Sequence, residues 1–438
     1  MGIDIELTGR LKPKLKPKKA IEAIAQWFTN ADDIRLAGPV ASGEDEHGVA
    51  IIQVPLFPNC DPLSIQEDPR GIALSARTSQ VGPGYHEFIC DVARRMGKQL
   101  EITWCNPLDI EGNEIAGDDT GFFESGDRVA LERAMLRWLS VTCNSCIAQV
   151  GQHGSETLEF KLCMGMEQQF ESADPIQTPL GPRSEKWVRA VAADESAPAA
   201  REFFPWWDRG ETASVLRNRA LVHMWNDVRW RAPLSEDEAL LHQEVHQLLE
   251  AANQMDASIV LPCREWAELL SFGAIEDASE VLRIEVEHEA SKQSGTLVGY
   301  RRRPVVRCLG PFSVTVPGSF GEQFDSDGTW IGFEAGRNIR MSLMSIGDAE
   351  EQPSPAEIVN QAELSEGFRW LPLEQQPGVC KRAQLGMSEE DGERFHCLNG
   401  MVAITGAFAL VTITWDEAAM ERWAMDTWLK ITAESMDS

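Results

Sequence analysis

Apolar positions over the first 165 residues or so switch between two periods. Residues 3–7 alternate as a half-buried strand does, while residues 18–29 place Ile21, Ile24, Trp27 and Phe28 at helical spacing. Residues 49–57 form a continuous apolar run closed by Pro58, the pattern of a buried strand. Residues 71–78 predict another short strand. A Gly-Pro-Gly turn then opens a helix reaching Met96, and residues 100–105 return as a strand. Residues 127–150 predict a long helix started by Ser125, Gly126 and Asp127, and a further strand spans 157–164.

From about residue 175 the period becomes helical. Residues 212–230 carry Val215, Leu216, Ala220, Met224 and Val228 at helical spacing. Ser235 is placed as the cap of the next helix, with Glu236, Asp237 and Glu238 in its first turn, where negative charge suits the helix dipole. A third helix follows Pro262. After residue 304 short β runs return, interrupted by a small helix with Ser354 as N-cap and Pro355 at its first position. Three more strands and a closing helix, bearing Met420, Trp423, Ala424, Thr427 and Trp428 on one face, complete the chain. The expected class is α+β. It comprises a mixed α/β domain over 1–170, a mainly helical region over 171–300, and an antiparallel sheet packed with helices over 301–438.

From PFSVTVPGSF to DTWLKI, the order of hairpin strands, short helix, antiparallel strands and Trp-rich closing helix resembles the PsbP-like α/β sandwich. That resemblance covers roughly the last third. It implies a non-catalytic binding or assembly module and transfers no site residue.

A chain of 438 residues exceeds what one hydrophobic core usually supports, consistent with two or three domains. Charge adds more. The net −29 argues against general nucleic-acid binding and against anionic membranes, because such a surface repels phosphate. It suits a basic protein partner, or simply a solvated exterior. The first twenty residues run the other way, with Arg10, Lys12, Lys14, Lys16, Lys18 and Lys19 against Asp4 and Glu6. No apolar core of signal-peptide length follows them, and no run is long enough to span a bilayer. The ten cysteines are irregularly spaced and often sit in apolar stretches, as Cys90, Cys105 and Cys397 do, so they read as reduced thiols of a cytoplasmic protein.

The leading candidate site is Arg77, Thr78, Ser79, Gly82, Gly84, Tyr85 and His86. There a strand ends, glycines allow close backbone approach, and a helix start offers free N–H groups to an anion. The competing reading is a tight turn whose glycines serve the backbone alone. Cys143 and Cys146, with His153 and Cys163 beyond, have a metal-like spacing. Both thiols nevertheless fall on the apolar stripe of their helix, where cysteine packs as a small hydrophobe. His242 and His246 lie one helical turn apart without a zinc-protease pattern, and read as two exposed histidines. Asp118, Asp119, Glu124 and Asp127 cluster without calcium-loop spacing, and helix capping accounts for Asp127. Phe204, Trp206 and Trp207, with Arg229 and Trp230, form an aromatic and basic group that either anchors a partner or packs internally. Arg301, Arg302 and Arg303 mark an exposed linker or pair with acids of the body. No residue receives a catalytic role, Cys60 with His86 being the first thiol–imidazole pair to test, and no cofactor or metal is expected. The expected function is a non-enzymatic cytoplasmic protein-binding module of chaperone, adaptor or immunity type. The alternative is an enzyme or sensor holding a small anionic or phosphorylated ligand at residues 77–86, which requires an electropositive pocket there.

Overall fold

The computed structural model describes residues 2–433, apart from 14, 46, 109–110, 112, 114, 116, 154–159, 162–167, 171–175, 195–197, 276–277, 347–351 and 391. The fold is α+β and divides into two compact units. The first takes Met1–Met166, Ala173–Val228 and Ala239–Gly299; the second takes Glu167–Ser172, Arg229–Glu238 and Tyr300–Ser438.

In the first unit six strands form one antiparallel sheet. Their order is Ala41–Glu44, Ala50–Val54, Leu63–Asp68, Gly71–Arg77, Asp4–Arg10 and Thr103–Cys105. Ile5 stands opposite Ala76 and Leu7 opposite Leu74, so alternate side chains share one buried face. The helix Pro17–Thr29 buries Ala20, Ile21, Ile24 and Phe28, the apolar stripe read from the sequence. Full burial of each larger side chain contributes about 1.5–3 kcal/mol. The expected strand at 100–105 is shorter than its pattern. The helix Pro83–Leu100 runs on through its last apolar residue, and Glu101 turns left-handed (φ 58°) before Thr103 starts the strand.

Along the helix Arg128–His153, Leu131, Met135, Leu139, Cys143 and Cys146 are buried on one face. Asp127 caps it, its Oδ1 accepting from the N–H groups of Val129 and Ala130. The side chains of His153 and Cys163 lie outside the described residues, as does most of the strand expected at 157–164.

Most of the mainly helical region 171–300 falls within the first unit. Val188, Val191, Phe203, Phe204, Trp206, Val215 and Val222 belong to the same core as Ile5, Val54 and Leu74, so they complete the first unit.

The second unit carries an eight-stranded antiparallel sheet. Gly321–Phe324, Trp330–Glu334, Arg337–Ser345, Ala407–Trp415, Glu393–Ile404, Val379–Glu390 and Arg369–Trp370 follow one another, and Glu374–Gln376 also pairs with Val379–Glu390. A smaller sheet contains Val305–Leu309 and Phe312–Val316. The short helix Pro355–Val359 has the expected cap. Ser354 Oγ accepts from the Glu357 N–H while the Glu357 carboxylate accepts from the Ser354 N–H. The closing helix Glu421–Lys430 buries Ala424, Thr427 and Trp428, and the Trp428 ring lies where any Cβ at Gly400 would stand. Among the described residues, no helix is long and apolar enough to cross a membrane.

Candidate ligand pocket

Three segments of the second unit converge on a cavity of about 750 Å³. Arg229 and Trp230 come from one, and Arg301, Arg302 and Arg303 from the turn preceding strand Val305–Leu309. The closing helix contributes Arg422, Trp423, Asp426 and Lys430. The floor is the turn Pro317–Gly318–Ser319. Gly318 is required there, because a Cβ at that position would strike the carbonyl oxygens of Arg301 and Arg303.

The polypeptide holds these cations in place from behind. Arg229 Nε donates to Phe320 O (2.7 Å) and lies 3.4 Å from Glu238. Arg231 forks onto both Glu238 carboxylate oxygens at 2.5 and 2.9 Å and donates to Ser319 O. Arg301 is buried, donating to Gly318 O and pairing with Glu322 at 3.2 Å. The Arg302 guanidinium stacks 3.7 Å from the Trp230 ring centre. Trp230 itself has φ of 51°, a region that costs an aromatic residue about 1–3 kcal/mol and that concentrates at functional sites. The indole N–H groups of Trp230 and Trp423 are shielded and lack an acceptor among the described residues.

Electrostatics set this cavity apart. Six bases line it against one acid, Asp426, in a chain of net −29. Burial, and then the nearby Arg301, lower the Arg229 pKa from its ordinary value, against Glu238 and Glu322. Burial opposes ionisation of Glu238, yet Arg231, the Leu234 N–H and Arg229 outweigh it and hold that carboxyl below its usual range. Arg303 and Lys430 are exposed and have no acidic partner among the described residues. Glu238, Glu322 and Asp426 offset Arg229, Arg301 and Arg422, and the positive charge that Arg303 and Lys430 add to them is what an anion would relieve.

The segment from Arg77 to His86 is not this site. Gly84 N donates to Trp206 O at 3.0 Å, so that helix start is covered rather than open. A Cβ on Gly82 would lie 2.6 Å from Trp206 O, and one on Gly84 would strike Asp208 O. The glycines thus serve close packing. Thr78, Ser79, Tyr85 and His86 are buried, and Arg77 is spent on Asp4 (3.1 Å) and Asp61 (3.6 Å). His86 faces the Thr78 hydroxyl through Nδ1 (2.8 Å), and Asp118 and Thr120 through Nε2 (both 3.1 Å). Burial opposes ionisation of Asp118, but His86, the Phe123 N–H and the Thr120 hydroxyl together hold its pKa at about 2. Cys90 lies within the same cluster, its thiol pushed up by burial. His86 and Asp118 are thus bonded within a buried network, and Cys90 packs beside them. Cys60 does not pair with His86 in it. Its Sγ meets Phe57 O (3.1 Å) and Tyr85 OH (3.9 Å), and burial pushes the thiol up to about 12, far from a thiolate nucleophile.

The aromatic group divides. Phe204 and Trp206 are buried, Trp206 among Phe57, Tyr85 and Phe88, so they anchor packing rather than a partner. Trp207 is half-buried against Phe204 and Arg201. Arg229 and Trp230 line the pocket. His242 and His246 are buried, not exposed, because the next helix covers them. Trp266 Nε1 donates to His246 Nδ1 (3.1 Å), and Phe272 packs on His242.

One titratable pair escaped sequence reasoning, although its spacing of four was legible. His223 is buried with Nδ1 2.8 Å from Asp227, which Asn59 also bonds, and Nε2 3.6 Å from Glu244. Burial favours the neutral ring, but the two carboxylates outweigh it and raise the pKa to about 9 from 6.5. The stabilisation is therefore full below the unfolded value and is lost as pH rises through about 9. Such a shift is worth on the order of 3 kcal/mol. Urea unfolding of the wild type and His223→Gln should show a wild-type advantage at about pH 6 that shrinks by about pH 10. An undiminished gap at the higher pH would refute the ion pair.

No protein-family model matches the chain, and no curated protein does. Among solved structures, a protein from Bacteroides thetaiotaomicron VPI-5482 aligns at 13% identity over 29% of this chain, with a TM-score of 0.24. The alignment spans 47% of that protein, and at such a score it bears on neither fold nor function here.

Proposed function

We propose that this chain works by binding, and that the basic pocket of the second unit holds an anionic ligand. The observation carrying this reading is the charge inversion, six lining bases against one acid within a chain of net −29. Arginine supplies five of the six, and its planar fork suits carboxylate and phosphate. The cavity volume falls within the range that takes small molecules. The ligand reading thus moves from residues 77–86 to this pocket. The element order of the last third supports the PsbP-like reading and its non-catalytic role. A basic protein partner for the acidic exterior rests on net charge alone.

Calorimetric titration of the full chain with sulfate, citrate and pyrophosphate tests the reading. At least one anion should bind, and the double variant Arg303→Gln/Lys430→Gln should weaken it by about a hundredfold or more, each lost charged hydrogen bond being worth about 1.5–3 kcal/mol. Both residues are exposed, so an unchanged melting temperature separates lost binding from lost folding. Absence of binding by all three anions, or equal binding by the double variant, would remove this function.

A further inference from the structure

We infer that the ligand is a bisphosphate with a hydroxylated middle, of the sugar or polyol class. The inference rests on the anion-binding reading of the same pocket and specifies its ligand. Size is the first argument. The cavity of 750 Å³ corresponds to about 25 water volumes, so one phosphoryl group fills only a small part of it.

Charge placement is the second. Arg422 and Lys430 lie eight residues apart on one helix, so their backbones are separated by about 12 Å along its axis. Between them stands Asp426, 3.7 Å from Arg422. This carboxylate pairs with Arg422 and repels an anion from that end, which leaves Lys430 on the helix and Arg303 on the facing turn to seat two separate anionic groups. The same carboxylate accepts hydrogen bonds from hydroxyl groups, which fits a ligand whose centre is neutral and rich in O–H.

The balance of hydrogen-bonding groups points the same way. The Arg303 guanidinium, the Lys430 ammonium and the Trp230 and Trp423 indole N–H groups border the cavity beside the already engaged Arg229, Arg301, Arg302 and Arg422, whereas Asp426 is its one carboxylate. A phosphoryl group brings three acceptor oxygens and a charge near −2, against two oxygens and −1 for a carboxylate. Two phosphoryl groups therefore match this donor-rich lining better than a di- or tricarboxylate.

Competition calorimetry on the full chain with a hexose 1,6-bisphosphate, a hexose 6-phosphate, pyrophosphate and citrate tests the assignment. The bisphosphate should bind at least about tenfold tighter than the monophosphate and tighter than citrate. Arg303→Gln and Lys430→Gln should each bring it close to the monophosphate level. Asp426→Asn should erase its advantage over pyrophosphate, because the carboxylate that accepts from the hydroxyl groups is then gone. Equal affinity for bisphosphate and monophosphate would overturn the inference, as would tighter citrate binding or an unchanged bisphosphate preference in Asp426→Asn. Pyrophosphate or citrate binding without any bisphosphate binding would sink this ligand and leave the anion pocket standing. Failure of all four compounds would end both.

Discussion

Lys381→Met should lower the unfolding free energy of the second unit by about 3 kcal/mol and weaken anion binding as well, although residue 381 does not line the pocket. Lys381 is buried, and its Nζ donates to the carbonyl oxygens of Trp428, Leu429 and Ile431 at 3.2, 3.1 and 3.0 Å. These carbonyls lie at the end of the closing helix and its cap, where backbone partners run out, although Trp428 O also accepts from the Ile431 N–H at 3.2 Å. Glu374 lies 3.4 Å away and offsets part of the cost of burying the ammonium, which nonetheless lowers its pKa. Methionine keeps the length of the side chain but removes all three of these bonds. The same helix carries Arg422, Trp423 and Lys430 into the pocket, so loosening its end displaces the cations. Urea unfolding monitored by tryptophan fluorescence, with calorimetry on the folded variant, checks both effects. Wild-type stability in Lys381→Met would mean that the helix end is held by other contacts.

Gly84→Ala should cost the first unit about 3 kcal/mol or more while leaving anion binding unchanged. The added methyl would meet Asp208 O and the Trp206 ring, neither of which can give way without moving the 203–208 segment out of the core. Were the helix start at residues 82–86 an open anion site, the same substitution would be mild for stability and would abolish binding. Thermal melting and titration of one variant therefore separate the two readings.

These residues also mark where sequence ceases to inform. The strand, Gly-Pro-Gly turn and helix at 71–100 were legible because their signals are local. The covering of that helix start by Trp206 was not, since Trp206 lies about 120 residues further along. The periodicity of the helix Arg128–His153 placed Cys143 and Cys146 on the core face without help from tertiary structure. Periodicity likewise put His242 and His246 on one face, but whether a face is covered depends on the neighbouring helix, here through Trp266 and Phe272. For the pocket, Arg229 with Trp230 and the run Arg301 to Arg303 each stood out against an acidic background. Their meeting depends on the Gly318 turn and on the register of two strands, which local pattern does not encode. Element order in the last third was readable because its strands alternate cleanly and its turns carry glycine, as at Gly336, Gly378 and Gly406, each with positive φ.

The location of the bound anion is the most direct test. A crystal structure of the full chain grown with pyrophosphate should place the anion against Arg303 and its neighbours Arg229, Arg422 and Lys430, within hydrogen-bonding distance of at least two guanidinium groups. An anion bound elsewhere, with only solvent between Trp230 and the closing helix, would contradict it.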